Sequence, residues 1–137
     1  MSRFAAVVSI ALCAFISATS ALPMAVNGTL SKRVTHDGRA THYETGLGAC
    51  GYRDDDSDPV VAISHLIYGG GGNCNQWMQI TNTANGKTQY GKTRDKCEGC
   101  GEYDIDLSPS LFESLGADLS QGVLQVEWHF MNKDWSP

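Results

Sequence analysis

Two aspartates give the first hint of chemistry. Asp95 closes a polar stretch, Lys87–Asp95, and Asp106 stands just ahead of Ser108-Pro109, a helix-start pattern. A carboxylate pair is what glycoside hydrolysis requires, one as acid and the other as base or nucleophile. The same residues have a structural use, since short carboxylates at strand and helix ends cap nearby backbone N–H groups. The acidic run Asp54-Asp55-Asp56-Ser57-Asp58 lacks the spaced ligands and glycine of a calcium loop and reads as a solvated loop. Cys97-Glu98-Gly99-Cys100 is half of a zinc pattern, but Cys50 and Cys74 form no second Cys-x-x-Cys. Its glycine-rich turn does not look like the helix start of a redox motif either. With Cys13 set aside in the N-terminal apolar run, the other four of the five cysteines imply two structural disulfides in an oxidising compartment, with three pairings open. No metal or cofactor is called for, and His42 reads as a surface strand residue.

Such groups need a rigid β scaffold to position them. Val123–Met131 alternates strictly, with Leu124, Val126, Trp128 and Phe130 on one face and Gln125, Glu127 and His129 on the other. Trp128 and Phe130 are therefore expected in the core. Gln76–Thr83 reads as a second strand, in which Met78 and Ile80 mark the core side and leave Trp77 on either a packed or a ligand-facing surface. Pro59–Ser64 is a short continuous apolar run, as in a strand buried on both faces. Asn85-Gly86 is a hairpin signal leading into Lys87–Asp95, a strand that is oddly polar. One helix is marked by Ser108 as cap, Pro109 in the first turn, the stripe Leu111, Phe112 and Leu115, and Gly116 at its end. Gly46–Gly51 and Tyr68–Gly72 read as loops.

The N-terminal segment sets the compartment. One cation, an apolar run from Phe4 to Ala18, and small residues at Ala18, Ser20 and Ala21 match a secretory signal peptide, taken as residues 1–21. The run is too short for a membrane span of about 20 apolar residues. Residues 22–33 end in Lys32-Arg33, which reads equally as the dibasic site of a pro-segment or as a solvated charge pair in a tail, and hold the glycosylation acceptor Asn27-Gly28-Thr29. Residues 34–137 then form one small domain, expected to be a monomer outside the cell. Loss of Arg3, Lys32 and Arg33 would take the formal charge from −5 to −8. An acidic domain argues against nucleic acid or an anionic membrane surface as partner.

Five motifs in order resemble the expansin-like double-psi β-barrel family, which takes in the first domain of expansins, barwin, RlpA-like proteins and family-45 endoglucanases. They are Ala40-Thr41-His42-Tyr43 with Gly48-Ala49-Cys50-Gly51-Tyr52, Cys74 through Asn82, Asp95-Lys96-Cys97-Glu98-Gly99-Cys100, Asp104-Ile105-Asp106-Leu107-Ser108-Pro109 with Phe112, and Val126-Glu127-Trp128-His129-Phe130. Short single-domain secreted members, common in fungi, are the most similar. The resemblance implies a mainly β fold, a six-stranded double-psi β-barrel with one or two short helices. By analogy with barwin it implies the disulfides Cys50–Cys74 and Cys97–Cys100. Asp95 and Asp106 match two groove aspartates, Thr41 and Tyr43 match groove residues of the first strand, and Asp106 also matches the endoglucanase acid. The endoglucanase base position is Thr45 here, and a groove tyrosine of some expansins is Cys97. The implied function is a non-lytic cell-wall polysaccharide-binding or wall-modifying module resting on Thr41, Tyr43, Asp95 and Asp106. The alternative is a secreted interaction protein, a protease inhibitor or host-directed effector, using Glu44–Gly48 and Tyr68–Asn73. A lytic hydrolase or transglycosylase with Asp106 as acid ranks last, because its partner base is missing.

Overall fold

The computed structural model describes residues 34–137. The signal segment, the Asn27 acceptor and the Lys32-Arg33 pair lie outside the described residues. Six strands, β1 (His36–His42), β2 (Val60–Ser64), β3 (Trp77–Asn82), β4 (Thr88–Cys97), β5 (Ile105–Leu107) and β6 (Leu124–Phe130), close into a barrel in the order β1-β5-β2-β4-β3-β6. β1 runs parallel to β5 and β2 parallel to β4, while the other four contacts are antiparallel. Two short helices, α1 (His65–Tyr68) and α2 (Pro109–Ser114), and a 3-10 turn at Leu119–Gln121 complete it. The six-stranded barrel expected from the motifs is the architecture observed.

Each strand follows its side-chain pattern. β2 lies between β4 and β5 and all five of its residues are buried, as its unbroken apolar run requires. β6 sends Leu124, Val126 and Trp128 inward, and Phe130 is half-buried. β3 sends Met78 and Ile80 inward and leaves Trp77 on the outer face, half-buried. The polar strand β4 has its own explanation. Its inward positions are Gly91 and Thr93, and a Cβ at Gly91 would lie 2.5 Å from Leu111 Cδ2 and 2.6 Å from Val61 Cγ2. β4 therefore contributes almost no side chain to the core at that point, and its neighbours fill the space. Phe112, fully buried beside Leu111 and Leu115, plugs the barrel from α2. Burying such a side chain contributes about 1.5–3 kcal/mol.

The helix start departs from expectation. Ser108 occupies the cap position but makes no capping bond with its side chain. Its buried hydroxyl instead donates to the Asp58 carbonyl at 2.6 Å, pinning the acidic loop to the start of α2. Gly116 ends the α2 region with a positive φ of 84°. On β1, Gly38 lets the Tyr103 carbonyl sit where a Cβ would be. Trp128 Nε1 donates to that same carbonyl at 2.9 Å. This close approach seats the 103–104 turn against β1 and so fixes the β1–β5 register.

Candidate functional site

One row of residues crosses four neighbouring strands. Thr41 on β1 pairs with Asp106 on β5, Asp106 pairs with Ala62 on β2, and Ala62 pairs with Asp95 on β4. Their sequence neighbours Ala40, Val61, Ile63, Ile105 and Leu107 are buried in the core, so alternation turns Thr41, Asp106 and Ala62 to the outer face. Ala62, small and buried, separates the two aspartates in this row. They stand two strand spacings apart, about 10 Å between backbones.

Asp95 reaches this row through a bulge. Val61 pairs with the inward Thr93, but Ala62 pairs with Asp95, so the register passes over Arg94. Without that extra residue Asp95 would share the face of Thr93 and point inward. A bulge that re-aims one side chain is a common device beside functional sites. Asp95 Oδ1 accepts from Ala49 N and Lys96 N, both at 2.8 Å. The first of these ties the Gly46–Gly51 loop to the groove. A disulfide from Cys50 to Cys74 joins that loop to the 68–74 segment, and Cys97 is bonded to Cys100 beyond the end of β4.

The groove is acidic and partly dry. Burial raises the Asp106 carboxyl above its ordinary value, and the charge of Asp95 adds to this. The Thr41 hydroxyl, donating to Asp106 Oδ1 at 2.9 Å, and nearby His42 pull the other way. Tyr43 follows β1, anchored by its N–H to the Leu107 carbonyl at 2.9 Å. Burial holds its phenol well above the usual value, reinforced by Asp95, Asp106, Asp54 and Asp56. Tyr43 therefore keeps its proton at any physiological pH and presents a hydroxyl donor among carboxylates. The four residues singled out in the sequence, Thr41, Tyr43, Asp95 and Asp106, thus lie on one region of the surface.

Asp54, Asp56 and His42 differ from what the sequence suggests. The acidic run is solvated only in part: Asp55, Asp56 and Ser57 are exposed, but Asp54 and Asp58 are half-buried. Asp54 forms an ion pair with Arg94, at 3.1 Å, and the side chains are only 9% and 15% exposed. Asp56 Oδ1 accepts from Thr45 N at 2.7 Å and Thr45 Oγ1 at 2.8 Å. These bonds, the backbone one foremost, hold its carboxyl below the ordinary range. A carboxylate thus sits beside Thr45 after all, carried in by another loop. The alternation of Asp54, Asp56 and Asp58 was the available sign, with one partner each for the first two. His42 also differs from the expected surface residue: its Nε2 lies 2.9 Å from the Leu119 carbonyl, and its ring meets Phe112 edge-on at 5.0 Å. Among the described residues no group of three or more His, Cys, Asp or Glu could hold a metal ion.

Comparison with known proteins places these features in context. No family model matches the chain. It is 30% identical over 136 residues to a papain inhibitor of Streptomyces mobaraensis, an alignment covering 90% of this chain and 93% of that protein. It is 31% identical over 110 residues to an Asp f 7 allergen homolog of Arthroderma benhamiae, covering 69% of this chain and 38% of the relative. The chain thus spans well under half of that relative's length. Among solved structures, an expansin of Clavibacter michiganensis in complex with cellohexaose superposes with a TM-score of 0.67 at 26% identity, over 76% of this chain and 54% of that one.

Proposed function

We propose that this chain, which belongs to the expansin-like double-psi β-barrel family, is a secreted, non-lytic module that binds cell-wall polysaccharide. The observation that carries the reading is the row Thr41–Asp106–Ala62–Asp95, outward-facing hydrogen-bonding groups at spaced intervals around a small residue. Sugar hydroxyls are matched by such a set: Asp95 and Asp106 accept, and the protonated Tyr43 hydroxyl donates. The expansin neighbour in complex with cellohexaose agrees with a polysaccharide as ligand. The non-lytic part rests on the state of the carboxylates. Asp95 has one oxygen committed to two backbone N–H groups, and Asp56, held low and exposed, is a weak base for activating water.

Sedimentation with insoluble cellulose, chitin and plant cell wall tests this directly. The wild type is expected in the pellet of at least one of them, with Asp106→Asn and Asp95→Asn each losing most of the binding and no reducing sugar released. Binding that is absent, or indifferent to both substitutions, refutes the reading, and sugar release above background replaces it with a lytic one.

A second reading has its own support. The papain inhibitor relative is matched over nearly its full length. The 46–54 loop that differs most from a plain turn is strapped by Gly48 N to Tyr52 O, Asp54 N to Gly46 O and the Cys50–Cys74 disulfide, and it displays Leu47 at 66% exposure. A rigid loop with an exposed apolar side chain suits insertion into a protease cleft. Inhibition of papain that is lost in Leu47→Asp and kept in Asp106→Asn would favour this reading.

A further inference from the structure

A cavity opens on the outer face, one row along the strands from the aspartates. Val60 pairs with Lys92 and Lys92 with Trp77, so these three outward side chains form a row of their own across β2, β4 and β3. Val60 is two residues before Ala62, which sets the rows about 7 Å apart at the usual strand rise. The cavity has a volume of about 330 Å³, with Asp54, Asp58 and Arg94 on its rim and Trp77 and Lys92 in its wall. That is the lower end of the roughly 300–1,000 Å³ of small-molecule sites, room for a sugar unit and too little for a folded peptide element.

Its walls are held before any ligand arrives. Arg94 is bound to Asp54 through Nε and Nη2, donates from Nη1 to Asn75 Oδ1 at 2.7 Å, and lies 3.9 Å over the Tyr52 ring. Asp58 Oδ2 accepts from Asp55 N at 2.8 Å. Lys92 makes no ion pair among the described residues; its ammonium lies over the Trp77 ring, 5.7 Å from the ring centre, in a cation–π contact. The two cations and two carboxylates of the cavity balance, so the site favours neither anion nor cation. A half-buried indole face beside an ammonium donor and a free carboxylate oxygen suits a neutral pyranose, whose ring C–H face packs on an aromatic surface while its hydroxyls meet the polar rim. The chain's net negative charge weighs against acidic sugars.

We propose that this cavity is a separate sugar subsite, in which Trp77 and Lys92 hold a pyranose of the neutral glycan whose preceding units lie over Asp95 and Asp106. The Arg94–Asp54 pair is the partition between the two sites. This rests on the polysaccharide reading above and predicts a length dependence that the groove alone would not produce. A site one row further along is filled only by an oligosaccharide long enough to pass the partition.

The test is calorimetry with cello- and chito-oligosaccharides of two to six units on wild type, Trp77→Ala, Trp77→Phe, Lys92→Gln and Asp106→Asn. Aromatic stacking on this scale corresponds to about a tenfold change in affinity, near 1.4 kcal/mol. Trp77→Ala is expected to weaken hexamer binding about tenfold and leave dimer and trimer binding unchanged, with Trp77→Phe restoring most of it. Lys92→Gln should weaken the hexamer a fewfold, and Asp106→Asn should weaken every length. If affinity does not grow with length in the wild type, or if Trp77→Ala affects short and long oligosaccharides alike, the subsite is refuted while the groove stands. If no oligosaccharide binds the wild type, both fall. Circular dichroism of each variant, and retention of trimer binding by Trp77→Ala, separate a lost contact from a lost fold.

Discussion

Removing Asp54 should cost far more than removing Asp56, although both belong to one acidic run. Arg94 Nε lies 3.3 Å from Asp54 Oδ1 and 3.1 Å from Oδ2, and Nη2 lies 3.1 Å from Oδ1. With side-chain exposures of 9% and 15%, neither group is well hydrated. Asp54→Ala therefore strands a guanidinium in a place where water reaches it poorly, a loss of roughly 3–5 kcal/mol for a buried pair. Arg94 keeps Asn75 and the Tyr52 ring as partners, which argues for the lower end, about 3 kcal/mol. At about 4–8 °C per kcal/mol for a domain near 100 residues, the melting temperature should fall by roughly 12–24 °C. Asp56 is exposed and its two bonds to Thr45 compete with water, so Asp56→Ala should fall within the small scatter of surface substitutions. Urea and thermal unfolding at pH 7 would measure both. Replacing the pair together, Asp54→Leu with Arg94→Met, should recover most of the loss, because an apolar pair of similar volume leaves no charge unpaired. Equal costs for Asp54→Ala and Asp56→Ala would refute the claim that the pair is buried and structural.

Three further outcomes follow from the geometry. Asp106 has its folded value raised above the ordinary 3.8. The unfolded chain thus releases this proton first, and stability falls as pH rises from about 3.8 through the raised value. Asp106→Asn keeps the acceptor for Thr41 and removes that penalty, so its stability relative to wild type should rise between pH 3 and pH 7, measured by urea midpoints; a constant difference would show that the carboxyl is not raised. Gly91→Ala drives a methyl to 2.5 Å from Leu111 and 2.6 Å from Val61, and should lower stability by about 1–3 kcal/mol through overpacking, checked by urea denaturation. Loss of the Cys50–Cys74 bridge, which spans 24 residues, should cost about 3.5 kcal/mol, against about 2 for Cys97–Cys100, which spans 3. Unfolding of the paired serine variants would show whether the order holds.

The parts of this molecule that the sequence made legible are those governed by short-range pattern. The alternation of Leu124 to Phe130, the unbroken run Val60–Ile63 and the apolar stripe of α2 each correspond to an observed element. The parts that were not legible depend on pairings between distant segments. β4 looked too polar for a barrel strand because its inward contribution is the absence of a side chain at Gly91, filled by Leu111 from a helix that comes later in the chain. Asp95 stands out by residue type, but nothing in Lys92-Thr93-Arg94-Asp95 announces the bulge that turns it outward, since a bulge is a property of two strands and appears only once β2 is laid beside β4. The acidic run shows the same limit. Five polar residues in a row read alike until Arg94, Thr45 and Ser108 arrive to bind Asp54, the Asp56 side chain and the Asp58 carbonyl respectively. Those three contacts fasten the loop to β4 and α2, where Asp54, Asp58 and Arg94 line the cavity beside Trp77. The groove's polarity could thus be read from residue types, but its width, floor and extension past the partition arise from the packing of that loop on β4. A substitution in the acidic run therefore acts on the shape of the site even where it touches none of the residues that line the aspartate row.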